Sequence, residues 1–194
     1  PWAKRAPGDV RPRLLEASAA AQLRKGKRAE AAIAAAQEID PKDVRVDLAM
    51  AELREAQGDI GGTVEALARV MRRNPDHVVV KRKYGLLLSQ NNRLDDAAPV
   101  LEQILSRGFD ARVAAELAFV EFRRKKTGEA EALLRKALKK DPAVMEAHYY
   151  LGAVLYQKGD IAQARAAYLE ADQLAGEDSR PLVALCEVDA QQSS

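Results

Sequence analysis

The residues able to do chemistry beyond simple charge are few: His77, His148, Cys186 and the glycine pair Gly61-Gly62. Catalysis by a nucleophile needs a base beside it, and a metal site needs ligands at close spacing. A phosphate cradle needs a glycine-rich loop that runs into Lys and then Ser or Thr. The two histidines stand far apart, neither has a partner at ligand spacing, and Thr63-Val64 follows the glycine pair. His148 therefore reads as a structural residue. One cysteine excludes an internal disulfide framework and a cysteine zinc site. Asp and Glu are plentiful, but they lie among Lys and Arg on helical faces, where they solvate the helix or form weak i,i+4 pairs. The expectation is a non-enzymatic chain with no catalytic residue, no metal site and no cofactor.

With no reaction in view, the bulk numbers bound what remains. The 194 residues are 47% hydrophobic but only 5% aromatic, and much of the apolar content is alanine. Alanine with Lys, Arg and Glu favours helices, since these side chains lose little freedom in a helical turn. Charged residues at 31% suit a wide solvated surface. The net charge of +2 carries no nucleic-acid footprint. It is unevenly placed, however: residues 1–142 hold 28 Lys/Arg against 21 Asp/Glu, and residues 143–194 hold 3 against 8. That asymmetry offers a basis for weak head-to-tail self-association. No apolar run approaches the ~20 residues of a spanning helix, and "PWAKRAPGDVRP" has no apolar core of a signal peptide. A soluble protein, cytoplasmic or periplasmic, is expected.

The helices that must position any site recur at a fixed period. Small residues mark the middle of each first helix at Ala17, Ala51, Gly85, Ala118, Gly152 and Cys186, at intervals of 34, 34, 33, 34 and 34. A second ladder, Ala29, Thr63, Ala97, Ala130 and Ala164, keeps the same steps. A third runs Ala36, Val70, Ile104, Ala137 and Ala171. Pro41, Pro75 and Pro142 mark inter-repeat turns, with Phe109 and Gly176 in the equivalent places. All the ladders share one missing residue, which places a deletion in the loop around "SRGFDAR". Cys186 reads as a buried spacer. Thr127, in "KKTGE", reads as a helix N-cap, and Pro99 should be tolerated in a first turn or cause a small kink.

This arrangement resembles the tetratricopeptide repeat family, whose unit is a 34-residue helix–turn–helix. The best copy is His148-x2-Leu151-Gly152-x2-Leu155, then Ala164-x3-Tyr168, with His in place of the family's Trp and Leu in place of its Tyr. The resemblance implies an all-α fold, an alpha-alpha solenoid in the form of a right-handed superhelix. It covers residues 10–194 after a flexible lead-in over 1–9. Repeats fall at about 10–43, 44–77, 78–110, 111–144 and 145–178, with a final helix at 179–191. In this family the small sites are where neighbouring helices approach closely.

The resemblance also implies where a partner would bind. The concave groove of the family is built mainly by first helices. Carried over residue by residue, it would show Arg11 and Arg45 towards its N-terminal end and Arg82 and Lys83 at its centre. Towards the C-terminal end would come Arg112, Glu116, Phe119, Phe122, Arg123, Tyr149, Tyr150 and Tyr156, with Tyr150 read as a packing residue. Aromatic residues and arginine are enriched at binding hot spots, so this strip would bury apolar side chains of a protein or peptide between cations able to hold acidic groups. The family's carboxylate clamp is not matched, because Asn91 and Asn92 fall in a turn. The function implied is a protein-interaction scaffold or adaptor that contacts neither nucleic acid nor the membrane interior. The other readings are an assembly element of a larger bacterial-type machine, for envelope export or pilus biogenesis, and a regulatory module of a longer enzyme.

Overall fold

Alanine-rich segments with little propensity for strands, punctuated by turn residues, give helices alone. The computed structural model describes residues 8–192, and among these are eleven helices and no strand. The chain folds as two compact units. The one that ends at Asn91 holds α1 (Arg11–Gln22), α2 (Gly26–Ile39), α3 (Val44–Ala56), α4 (Ile60–Arg73) and α5 (Val78–Gln90). The one that starts at Asn92 holds α6 (Leu94–Arg107), α7 (Ala111–Arg123), α8 (Thr127–Lys140), α9 (Met145–Lys158), α10 (Ile161–Leu174) and α11 (Arg180–Gln192). Within each unit every helix packs on the next, and the first helices of neighbouring repeats, α1 with α3 and α7 with α9, also touch. The expected lead-in lies outside the described residues up to position 7, and Asp9 already belongs to the start of α1 through its bond to the Arg11 amide.

The ladders occupy the places where helices meet. Ala29, Ala97, Ala130 and Ala164 have no exposed surface, and Thr63 has 1%. The third ladder is buried throughout, with Ala36, Val70, Ala137 and Ala171 fully enclosed and Ile104 nearly so. A methyl group at such a site lets two backbones come close, where a longer side chain would hold them apart. Cys186 departs from the expectation: its side chain is exposed. In α9 the equivalent Gly152 lies against Tyr168 of α10. Among the described residues no helix follows α11, so nothing covers the face that Cys186 shares with exposed Leu182 and Val183.

Turns within repeats hold a feature the sequence did not announce. Arg24, Gly58, Asn92, Lys125 and Gly159 all have positive φ, from 54° to 85°. They follow the period of the ladders, yet only two are glycine. The glycines of "RKGKR" and "KKTGE" sit instead at the starts of α2 and α8, and Thr127 is the first helical residue of α8, with no side-chain cap. A left-handed turn costs a non-glycine residue about 1 kcal/mol. Lys125, exposed and in such a turn, should therefore gain stability on replacement: Lys125→Gly is expected to stabilise the fold by about 0.5–1 kcal/mol, read as a higher urea midpoint. An unchanged or lower midpoint would show that the strain in the turn does not exceed the unfolded-state freedom that glycine adds.

Two of the links between repeats are built on Asp. Asp40 and Asp141 each accept a bond from the amide two residues on, across Pro41 and Pro142. Residues 108–110 link α6 to α7, one residue fewer than 40–43, 74–77 and 141–144, which locates the deletion where the ladders placed it. Pro99 lies inside α6 with its ring exposed, and the helix runs through it unbroken.

Candidate protein-binding surface

Three of the first helices begin with an aspartate that both caps the helix and holds an arginine. Asp9, Asp43 and Asp178 accept the amide hydrogen two residues on, and the guanidinium of Arg11, Arg45 or Arg180 forks back onto the same carboxylate. The guanidinium holds all three carboxyls below the usual carboxylate range. Asp110 caps α7 in the same register through the Arg112 and Val113 amides. At the two remaining positions stand His77, whose Nδ1 accepts from the Val80 amide, and Val144, without a side-chain cap. His148 Nε2 lies 2.9 Å from the Pro142 carbonyl, a structural tie across the link before α9.

In the first unit Lys83 of α5 pairs with Glu55 of α3, so its charge is already met by a neighbouring first helix. Arg82 beside it is partly buried.

The second unit brings together several of the residues singled out from sequence. Phe119 of α7 and Tyr150 of α9 stack with ring centroids 4.7 Å apart and planes 21° from parallel. Tyr149 leans on Tyr150 at 5.6 Å and on Tyr168 at 5.7 Å. Arg123 lies 5.7 Å over the Phe119 ring and donates to the Asn92 side chain, and Arg180 lies 5.3 Å over Tyr149. Tyr150 is 8% exposed, in keeping with its reading as a packing residue, while Phe119 and Tyr149 keep part of their surface open. Phe122 packs on the core between α7, α8 and α9, and Tyr156 on the core between α9, α10 and α11, both partly buried. Neither joins the stack. Arg112 is exposed at the start of α7.

Two carboxylates share this surface. Glu116 stands one turn before Phe119 and Glu146 one turn before Tyr150; both are partly buried, and neither makes a hydrogen bond or ion pair among the described residues. Burial, reinforced by the charge of Glu146 and opposed by Arg180, pushes the Glu116 carboxyl up to about 7. Burial, with the nearby Glu116 charge, also raises the Tyr150 phenol. Arg180 is raised as well, chiefly by its bond to Asp178 and also by its contact with Tyr150. Sequence reasoning passed over Arg180 and Glu146 because both flank the motif positions rather than occupy them.

Family models for the tetratricopeptide repeat match residues 55–118 and 116–179, together more than half of the chain. The chain belongs to the tetratricopeptide repeat family. Among solved structures, this tetratricopeptide repeat chain is similar to YrrB, described as a TPR protein with an unusual peptide-binding site. That likeness has a TM-score of 0.76 and 15% identity over 94% of each chain. MamA from Desulfovibrio magneticus RS-1 aligns with a TM-score of 0.74 and 19% identity, over 88% of this chain and 97% of that one. PilW, described as a widely conserved type IV pilus biogenesis factor, aligns at 0.66 and 18%, over 94% and 91%. At these identities the likeness shows the tetratricopeptide repeat solenoid fold. No curated protein matches by sequence. Among the described residues no helix is long and apolar enough to cross a membrane, and no group of three metal-ligand side chains gathers.

Proposed function

We propose that this chain is a non-enzymatic interaction scaffold whose first helices bind a segment of a partner protein. The second unit would make the main contact through Arg112, Phe119, Phe122, Arg123, Tyr149 and Tyr156; Arg82 and Lys83 belong to the first unit and form a separate candidate surface there. The observation that carries this reading is the Phe119–Tyr150 stack, with Tyr149 against it and arginines over two of its rings. Partly open aromatic surface held rigid by its own packing binds with little loss of side-chain freedom. Family membership supports it, since stacked helix pairs create extended binding surfaces, and so does the printed description of YrrB.

A photo-crosslinking amino acid at position 119 or 149, in cells of the native host, tests it. The expected result is a discrete adduct from both positions and none from exposed position 169 on α10. Equal labelling at all three would sink the reading. An adduct with a second copy of the chain would favour an assembly element instead, the role for which the PilW description offers an analogy.

A further inference from the structure

The same surface selects for charge, and its sign differs from the one the arginines suggest. The two cations that lie over the rings are already engaged. Arg180 is forked onto Asp178 and reaches Tyr150, and Arg123 donates to Asn92 while lying over Phe119. The carboxylates are not. Glu116 and Glu146 stand on adjacent first helices, each one turn from a member of the Phe119–Tyr150 stack, with their like charges acting on each other and no cation bound to either. Arg112, one turn before Glu116, is exposed and makes no ion pair with it. The surrounding segment is acidic as well, with 3 Lys/Arg against 8 Asp/Glu over residues 143–194.

Resting on the scaffold reading, we infer that the strip takes a basic segment of the partner: a lysine or arginine side chain whose charged end lies between Glu116 and Glu146 and whose apolar stem lies along Phe119 and Tyr149. A carboxylate half withdrawn from water makes strong charge-assisted bonds to such a group. The open edges of the neighbouring rings favour its methylenes through apolar contact. An acidic segment would meet two unpaired carboxylates at the centre of the surface and be repelled.

The test is selection of a random dodecapeptide display library on the full chain. Three proteins are run beside each other: wild type, Glu116→Gln/Glu146→Gln, and Phe119→Ala/Tyr149→Ala, each first checked for equal helicity. The expected result is enrichment of Lys and Arg by the wild type, lost in the glutamine variant. A selected basic peptide should bind that variant about tenfold more weakly or worse. Peptides that are neutral or acidic, or basic ones retained by the glutamine variant, would overturn the charge inference and leave the scaffold reading standing. Enrichment by the wild type no greater than by the Phe119→Ala/Tyr149→Ala variant would overturn both.

Discussion

Gly152→Ala is expected to destabilise the second unit by about 1–3 kcal/mol, although alanine is the better helix former. In an open helix that exchange gains about 1 kcal/mol. At Gly152 a Cβ would stand 2.6 Å from two carbons of the Tyr168 ring, closer than real Cβ atoms come. The ring has little room to retreat. Tyr168 is 5% exposed, Tyr149 leans on it, and the same core holds Leu155, Leu185 and Val188. The cause is therefore a single steric pair, and a double-mutant cycle isolates it. With Tyr168→Ala as background, Gly152→Ala should lose its penalty and turn neutral or stabilising. Gly128 is the control: it is helical, exposed and meets nothing within 4 Å, so Gly128→Ala should gain stability outright. Urea denaturation of the set decides. Equal effects of alanine at 128 and 152 would mean that the spacer ladder does not set how closely helices approach.

In the first unit the largest effect is expected at an ion cluster. Asp47 of α3 is 4% exposed, and its carboxylate takes a 2.8 Å bond from Arg69 Nε and a second from the Arg73 guanidinium, both on α4. Arg73 also donates to the Pro41 carbonyl, tying α4 to the link before α3. Removing the arginines should cost more than removing the acid. Arg69→Ala/Arg73→Ala strands an ionised carboxylate out of water, at about 3–5 kcal/mol. Asp47→Ala leaves two guanidinium groups that are each about a third exposed and can hydrate, so about 2 kcal/mol is expected. Adding Asp47→Leu to the double arginine variant should restore much of the loss, because the stranded charge is gone. Denaturation midpoints rank the three variants. An Asp47→Ala chain less stable than the double arginine variant would show that desolvation is not what governs the cluster.

What could be read from the sequence, and what could not, divides along physical lines. The repeat was legible because close helix approach leaves a direct mark on residue size: Ala29, Ala97, Ala130 and Ala164 can only be small. Cys186 has the right size at the right interval, but a spacer needs a helix to space against, and α11 has none following it among the described residues. The left-handed turns at Arg24 and Lys125 left no mark because packing of the paired helices imposes the backbone, whatever residue is there. On the candidate surface, the aromatics of α7 and α9 were legible as a group, since they share first-helix positions. The state of each charge was not. Arg45 and Arg11 looked like groove cations, and only the fold shows them forked onto their own caps. Glu116 and Glu146 gain meaning only from the absence of such a partner.

The shortened link at residues 108–110 has a bearing on how such a chain can change. A residue lost inside a helix would rotate everything beyond it by about 100°, turning buried alanines outward. Lost from a link, it leaves α7 with Ala114 and Ala118 still fully enclosed. The joints thus act as reservoirs of length and the helices as keepers of phase, so insertions and deletions can accumulate at the links while the inward-facing sequence stays in step.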